Sequence, residues 1–139
     1  MNQSATTTAQ QIGRAALAFQ QVRTGHVPRS VAVVLGEDTL VITLHGALSP
    51  AERALAKTPA GAAQVQAFHR ELFNNSSEAL RQEIKRITGV EVHEAAVQVE
   101  PASGTMIQVF TTGTMVQVFL LAQSVPADSW RGNGQGDPS

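Results

Sequence analysis

The chain has no cysteine and no tyrosine, and aromatic residues make up only 4% of it. Without cysteine there is no disulfide, no thiolate nucleophile and no Cys-based zinc or iron–sulfur centre. Without tyrosine, and with its one tryptophan (Trp130) in a C-terminal stretch read as a solvated tail, it lacks a stacking platform for bases. Lys and Arg number 10 against 11 Asp and Glu, a formal net charge of -1. No basic field exists to hold a polyanion, so nucleic acid is not expected as a partner. The longest apolar runs, Val31–Leu35 and Val118–Ala122, fall far short of the roughly 18 residues that cross a bilayer. Direct membrane insertion is therefore not expected. Met1 to Gln11 carry neither the basic start nor the apolar stretch of a signal peptide, so the expected compartment is the cytoplasm. Charge of either sign is scarce, at 15% of 139 residues against about 25% in an average domain. A surface this poor in charge is expected to be covered in part by a partner or a second copy.

Local signatures of catalysis are also missing. His26, His45, His69 and His93 form no HxH, HExxH or HxxxH pair, so no prearranged metal site is encoded. Neither a nucleophile elbow, a P-loop nor a GxGxxG occurs, and Gly132–Gly136 has no strand before it. The reading is a protein that is not an enzyme, with no catalytic, cofactor-binding or metal-binding residues to assign.

What is present is a clear alternation of periods. A polar, uncharged segment at 1–11 is expected to be flexible. Ile12, Ala15, Ala16, Phe19 and Val22 then recur at helical steps until Thr24-Gly25 stops them and Pro28 forbids resumption. Val31–Leu35 and Leu40–Leu44, β-branched and separated by Gly36-Glu37-Asp38-Thr39, predict a hairpin. Both runs are apolar at nearly every position, which implies cover on both faces or a central place in a sheet. Ser49-Pro50-Ala51-Glu52 spells a capping box with proline at the first helical position. The short helix it opens is interrupted at Thr58-Pro59-Ala60-Gly61. A second helix follows, with Val65, Phe68, Leu72, Leu80, Ile84 and Ile87 on its apolar stripe, Lys85 and Arg86 in its last turn and Gly89 beyond its end. Asn74-Asn75-Ser76-Ser77 allows a kink or a break there; one long, locally weakened helix is favoured.

From Val90 the period becomes two, and a phase slip at Ala95-Ala96 predicts a β-bulge. Gly104–Phe110 and Gly113–Phe119 are near-copies nine residues apart, and Thr111-Thr112-Gly113 between them reads as a hairpin loop. No charge occurs from Pro101 to Ala127. Such a stretch would be hazardous as a bare edge, so Met115, Val116, Val118, Phe119 and Leu120 are the candidate self-association strand. The expected fold is α+β, a four- or five-stranded mainly antiparallel sheet with helices packed on one face. A single domain is expected over 12–122, with a disordered tail at 123–139.

One polar cluster stands out: Glu52 and Arg53 on the short helix, His69 and Arg70 on the long one. Arg70 there would be either an anion anchor or a structural partner of Glu52.

The succession Gly25-His26-Val27-Pro28, Val31–Leu44, Leu48-Ser49-Pro50-Ala51-Glu52-Arg53-Ala54-Leu55-Ala56-Lys57-Thr58, Gly61, Arg70 and Ile87-Thr88-Gly89-Val90-Glu91-Val92 resembles the bacterial MpsC-like (YbcI-like) family. The resemblance covers about Ile12 to Phe110 and carries over Gly25, Pro28, Glu52, Arg70 and Gly89 as family-pattern positions. It implies a small α+β protein tied to a sodium-translocating, membrane-potential-generating system, with membrane-protein partners linked to ion or inorganic-carbon uptake. The chain departs from the pattern at three places. It has Gly25-His26-Val27-Pro28 where many members read G-R-G-P, and Ala96-Val97-Gln98 where an H-x-D is usual. The second strand copy at 113–121 also extends past the family's end. A diverged member that has exchanged a site for an interface fits all three. The leading expectation is a non-catalytic accessory or regulatory protein that forms homo-oligomers and sits, through a partner, at the membrane periphery. The alternatives are a small-anion sensor, for example for bicarbonate, using Arg70 and Arg53, and a self-assembling structural protein.

Overall fold

A computed structural model describes residues 2–112. The elements run α1 (Asn2–Thr24), β1 (Ser30–Leu35), β2 (Thr39–His45), α2 (Pro50–Leu55), α3 (Pro59–Thr88), β3 (Glu94–Glu100) and β4 (Thr105–Thr111). The four strands form one antiparallel sheet in the order β1-β2-β4-β3. Helix α1 packs on β1 and β2, α3 packs on β3, and the two helices pack on each other. The fold is α+β, as the sequence implies.

The helices end where local chemistry ends them. Gly25, at φ 76°, donates its amide to Gln21 at 2.7 Å and closes α1. Thr58 caps α3 by accepting from the Gly61 amide, with Pro59 next in the first turn. Gly89, at φ 78°, closes the other end by donating to the Lys85 carbonyl. The Asn74–Ser77 patch does not divide α3, which runs unbroken for 30 residues. Ser76 satisfies its hydroxyl on the Leu72 carbonyl within the same helix.

The core lies between helices and sheet. Ile12 and Ala16 of α1 meet Leu40, Ile42 and Leu44 of β2, with Val65, Phe73, Leu80 and Ile84 of α3 and Met106 and Phe110 of β4. Phe110 is 1% exposed and packs its ring 5.9 Å from that of Phe73. Burial of a side chain of this size contributes about 1.5–3 kcal/mol.

Several expectations are corrected. Among the described residues strand β1 lies at an edge of the sheet, and Val34 and Leu35 are 62% and 40% exposed, so its apolar run has there neither cover on both faces nor a central place. No bulge interrupts β3: its register with β4 is continuous from Glu94↔Thr111 to Glu100↔Thr105. The phase slip is absorbed before the strand begins, because Val90 to His93 are not in it. Strand β4 has β2 on one side and β3 on the other along its length, so it has no free edge for a hairpin with the second copy. That copy, with Met115, Val116, Val118, Phe119 and Leu120, lies outside the described residues, as does the tail. Helix α1 begins at Asn2 rather than near Ile12. Periodicity was silent there because an extension of a nucleated helix needs no apolar stripe. Finally, Val22 and Phe68, both placed on apolar stripes, are 78% and 52% exposed. Their places are taken by Gln20 in α1 and by His69 and Phe73 in α3, all buried.

Candidate functional site

Residues 49–52 form the expected capping box: the Glu52 amide donates to Ser49 Oγ at 3.2 Å, and the Ser49 amide donates to Glu52 Oε1 at 2.9 Å. This holds the Glu52 side chain against the start of α2 and turns its second oxygen toward α3. There, on the buried stripe Val65-His69-Phe73-Ser77, the His69 ring brings Nε2 to 2.7 Å from Glu52 Oε2. The His69 side chain is 1% exposed and that of Glu52 21%.

Burial works against ionisation of Glu52. The Ser49 amide, the His69 hydrogen bond and charge, and the Ser49 side-chain contact outweigh it and hold the carboxyl below its ordinary value. An ionised carboxylate only accepts, so Nε2 of His69 carries the proton and donates it. The arrangement fixes the imidazole's orientation and ties α2 to α3 across 17 positions of sequence.

Of the four residues in the expected polar cluster, the structure therefore joins two. Arg53 and Arg70 are exposed, and neither forms an ion pair among the described residues. Glu52 is paired with His69, not with Arg70, because α3 turns position 69 inward and position 70 out to solvent. Arg53 lies instead beside Pro50, Lys57 and Pro101 at a shallow depression of the surface.

The remaining family-pattern positions are structural. Gly25 and Gly89 close helices, and Pro28 is buried in the turn into β1. In that turn His26 Nε2 lies 3.0 Å from the Gly46 carbonyl oxygen. Gly46, at φ 63°, passes so close to Arg29 that a Cβ there would sit 2.9 Å from the arginine's own. Ala96 and Gln98, where the family's polar pair would stand, alternate with Ala95, Val97 and Val99, which pack toward the core. They therefore lie on the sheet face turned away from the helices.

A match to the family model described as "Na+-translocating membrane potential-generating system (MpsC)" spans residues 4–114. The chain belongs to the MpsC family. No curated protein and no solved structure matches it. As a member of the MpsC family, it is tied by that description to a membrane system, and no described helix is long and apolar enough to cross a membrane.

Sequence reasoning missed a second group. On the inner side of α3, His69 shares the wall of a small cavity of about 30 Å³ with Gln20, Arg23, Ser77, Met106 and Gln108. Gln20, Ser77 and Gln108 are all buried polar residues. The signal was a polar residue at an apolar phase: Gln20 follows Ile12 and Ala16 at four-residue steps, and Gln108 stands between Met106 and Phe110. Local pattern marks each as out of place but does not say that they converge. A larger groove of about 320 Å³ runs between the β1–β2 turn and the end of α3, with Ile84, Ile87, Val92 and Phe110 in its wall.

Proposed function

We propose that the chain is a non-catalytic accessory protein that works by self-association and protein contacts, in the service of the membrane-potential-generating system its family is described by. One observation carries this reading: strand β1, Ser-Val-Ala-Val-Val-Leu, has an unpaired edge among the described residues, bears no charge and exposes Val34 and Leu35. Proteins that keep an edge to themselves usually mark it with lysine, proline or a bulge. An unguarded apolar edge is suited to strand addition, in which backbone hydrogen bonds supply affinity and alternate side chains supply selectivity.

The occupant proposed is a second copy. Two β1 strands paired antiparallel about a twofold axis give a self-complementary contact that leaves no further β1 edge open. The low charge content of the chain supports cover of this kind. The family description and the lack of a membrane-crossing helix among the described residues support a place beside a membrane protein rather than within the bilayer.

Native mass spectrometry of the full chain beside Val34→Lys tests the reading. A dimer or larger defined oligomer that the lysine disperses supports it. A monomer in both overturns self-association. Unchanged oligomers in both would move the contact away from β1.

A further inference from the structure

The cavity between α1, α3 and β4 gathers polar atoms that the fold itself leaves unsatisfied. Gln20 Nε2, Arg23 Nε and Gln108 Oε1 are shielded from solvent and have no hydrogen-bond partner among the described residues. Gln20 is 7% exposed and Gln108 5%, and both line the cavity together with Arg23. The Gln108 amide nitrogen has only the Met106 sulfur, at 3.8 Å, a weak acceptor. Buried polar groups are almost always paired, so three unpaired ones around a single space point to a guest that pairs them.

The chemistry of the wall selects that guest. The amides of Gln20 and Gln108 can each turn end for end within the same shape, so either can present its NH2 group. Arg23 contributes the fixed sign. Its guanidinium donates through Nη2 to the Ser76 carbonyl at 3.0 Å and lies over the Phe19 ring, 5.2 Å from its centre. No carboxylate pairs with it among the described residues. Among the described residues no carboxylate lines the cavity, and Glu52, the partner of the lining residue His69, is committed to His69 and Ser49. The wall thus offers a single uncompensated positive charge and up to two amide donors. The size is also restrictive. A cavity of about 30 Å³ has room for about two waters or a guest of similar bulk, since one water needs roughly 10–15 Å³ on this measure.

We propose that this cavity, walled by Gln20, Arg23 and Gln108, is a binding site for a small monovalent planar oxyanion of three or four non-hydrogen atoms. The site is separate from the exposed Arg53 and Arg70, and the proposal does not depend on self-association through β1.

Thermal unfolding in sodium formate, against sodium chloride at equal ionic strength, tests it on the full chain. Formate is expected to raise Tm in a saturable way, by about 5 °C at ten times its Kd. That rise should shrink by half or more in Gln108→Leu and vanish in Arg23→Gln. Equal shifts in formate and chloride, or the same formate shift in all three proteins, would overturn the site. Ordered water only is the outcome in which Gln108→Leu alters Tm while none of the proteins responds to formate. Should Arg23→Gln fail to fold, a transferred nuclear Overhauser effect between the formate proton and the Met106 methyl group in the unaltered protein decides. A cross-peak supports the site, and its absence rejects it.

Discussion

Glu52 uses its two carboxylate oxygens for two different tasks: Oε1 accepts the Ser49 amide that starts α2, and Oε2 accepts from Nε2 of His69, buried in α3 at 2.7 Å. One side chain thus closes a local cap and a long-range contact. The capping box alone would leave α2, which buries none of its residues, loosely attached. The histidine gives it a fixed docking point on the core.

The first prediction concerns acid. The Glu52 carboxyl titrates below its ordinary value of 4.5 in the folded chain. Folding therefore favours its ionised form, and that contribution is present above the unfolded value. It fades as pH falls through the folded value. Glu52→Gln should flatten the acid limb of the stability–pH curve and cost about 1–2 kcal/mol at pH 7 through the weakened cap and histidine contact. Urea unfolding from pH 3 to 7 reads both. Parallel acid limbs in the two proteins would refute the pairing.

A second prediction follows from the shared carboxylate. Ser49→Ala should cost about 1 kcal/mol, as loss of a side-chain cap does. Combined with Glu52→Gln, the losses should fall short of their sum by at least about 0.5 kcal/mol, because both residues belong to one hydrogen-bonded unit. A double-mutant cycle by chemical denaturation measures this. Strict additivity would mean that the cap and the histidine contact are independent.

The third is steric. A Cβ at Gly61 would lie 1.8 Å from the Leu55 carbonyl oxygen, which is backbone and has no rotamer to change. Gly61→Ala must force α2 and α3 apart, and a loss on the order of 3 kcal/mol or more is expected. Thermal unfolding should reveal it. Gly89→Ala meets nothing within 4 Å and should cost less, only the strain of its φ of 78°.

The two proposals add two more. Val34→Lys should disperse an oligomer built on β1, and Arg23→Gln should abolish a formate-dependent rise in Tm.

Much of the local structure is legible in the sequence. The capping box at 49–52, the proline starts of α2 and α3, the glycine ends at 25 and 89, and the β1–β2 hairpin are all where the residues place them. The misreadings share a cause. A bulge at Ala95-Ala96 and a hairpin of repeated strands were inferred from neighbours in sequence. The register of β3 and the enclosure of β4 were instead set by strands that arrive from elsewhere in the chain.

The candidate site divides in the same way. Glu52 and His69 were placed together from sequence, but so was Arg70, since adjacent helix positions look alike until the direction of the buried face is known. What the sequence by itself determined is whatever depends on contacts within about one helical turn or one hairpin: caps, stops, periods and the scarcity of charge. What only the tertiary structure decided is which distant surfaces meet. It fixed the order β1-β2-β4-β3, the choice of His69 as the partner of Glu52, and the convergence of Gln20, Arg23 and Gln108 on one cavity. Local hydrogen bonding and periodicity are settled by residues a few positions apart. Those pairings join residues far apart in the chain, and only the packing of α1 and α3 onto the sheet selects among them.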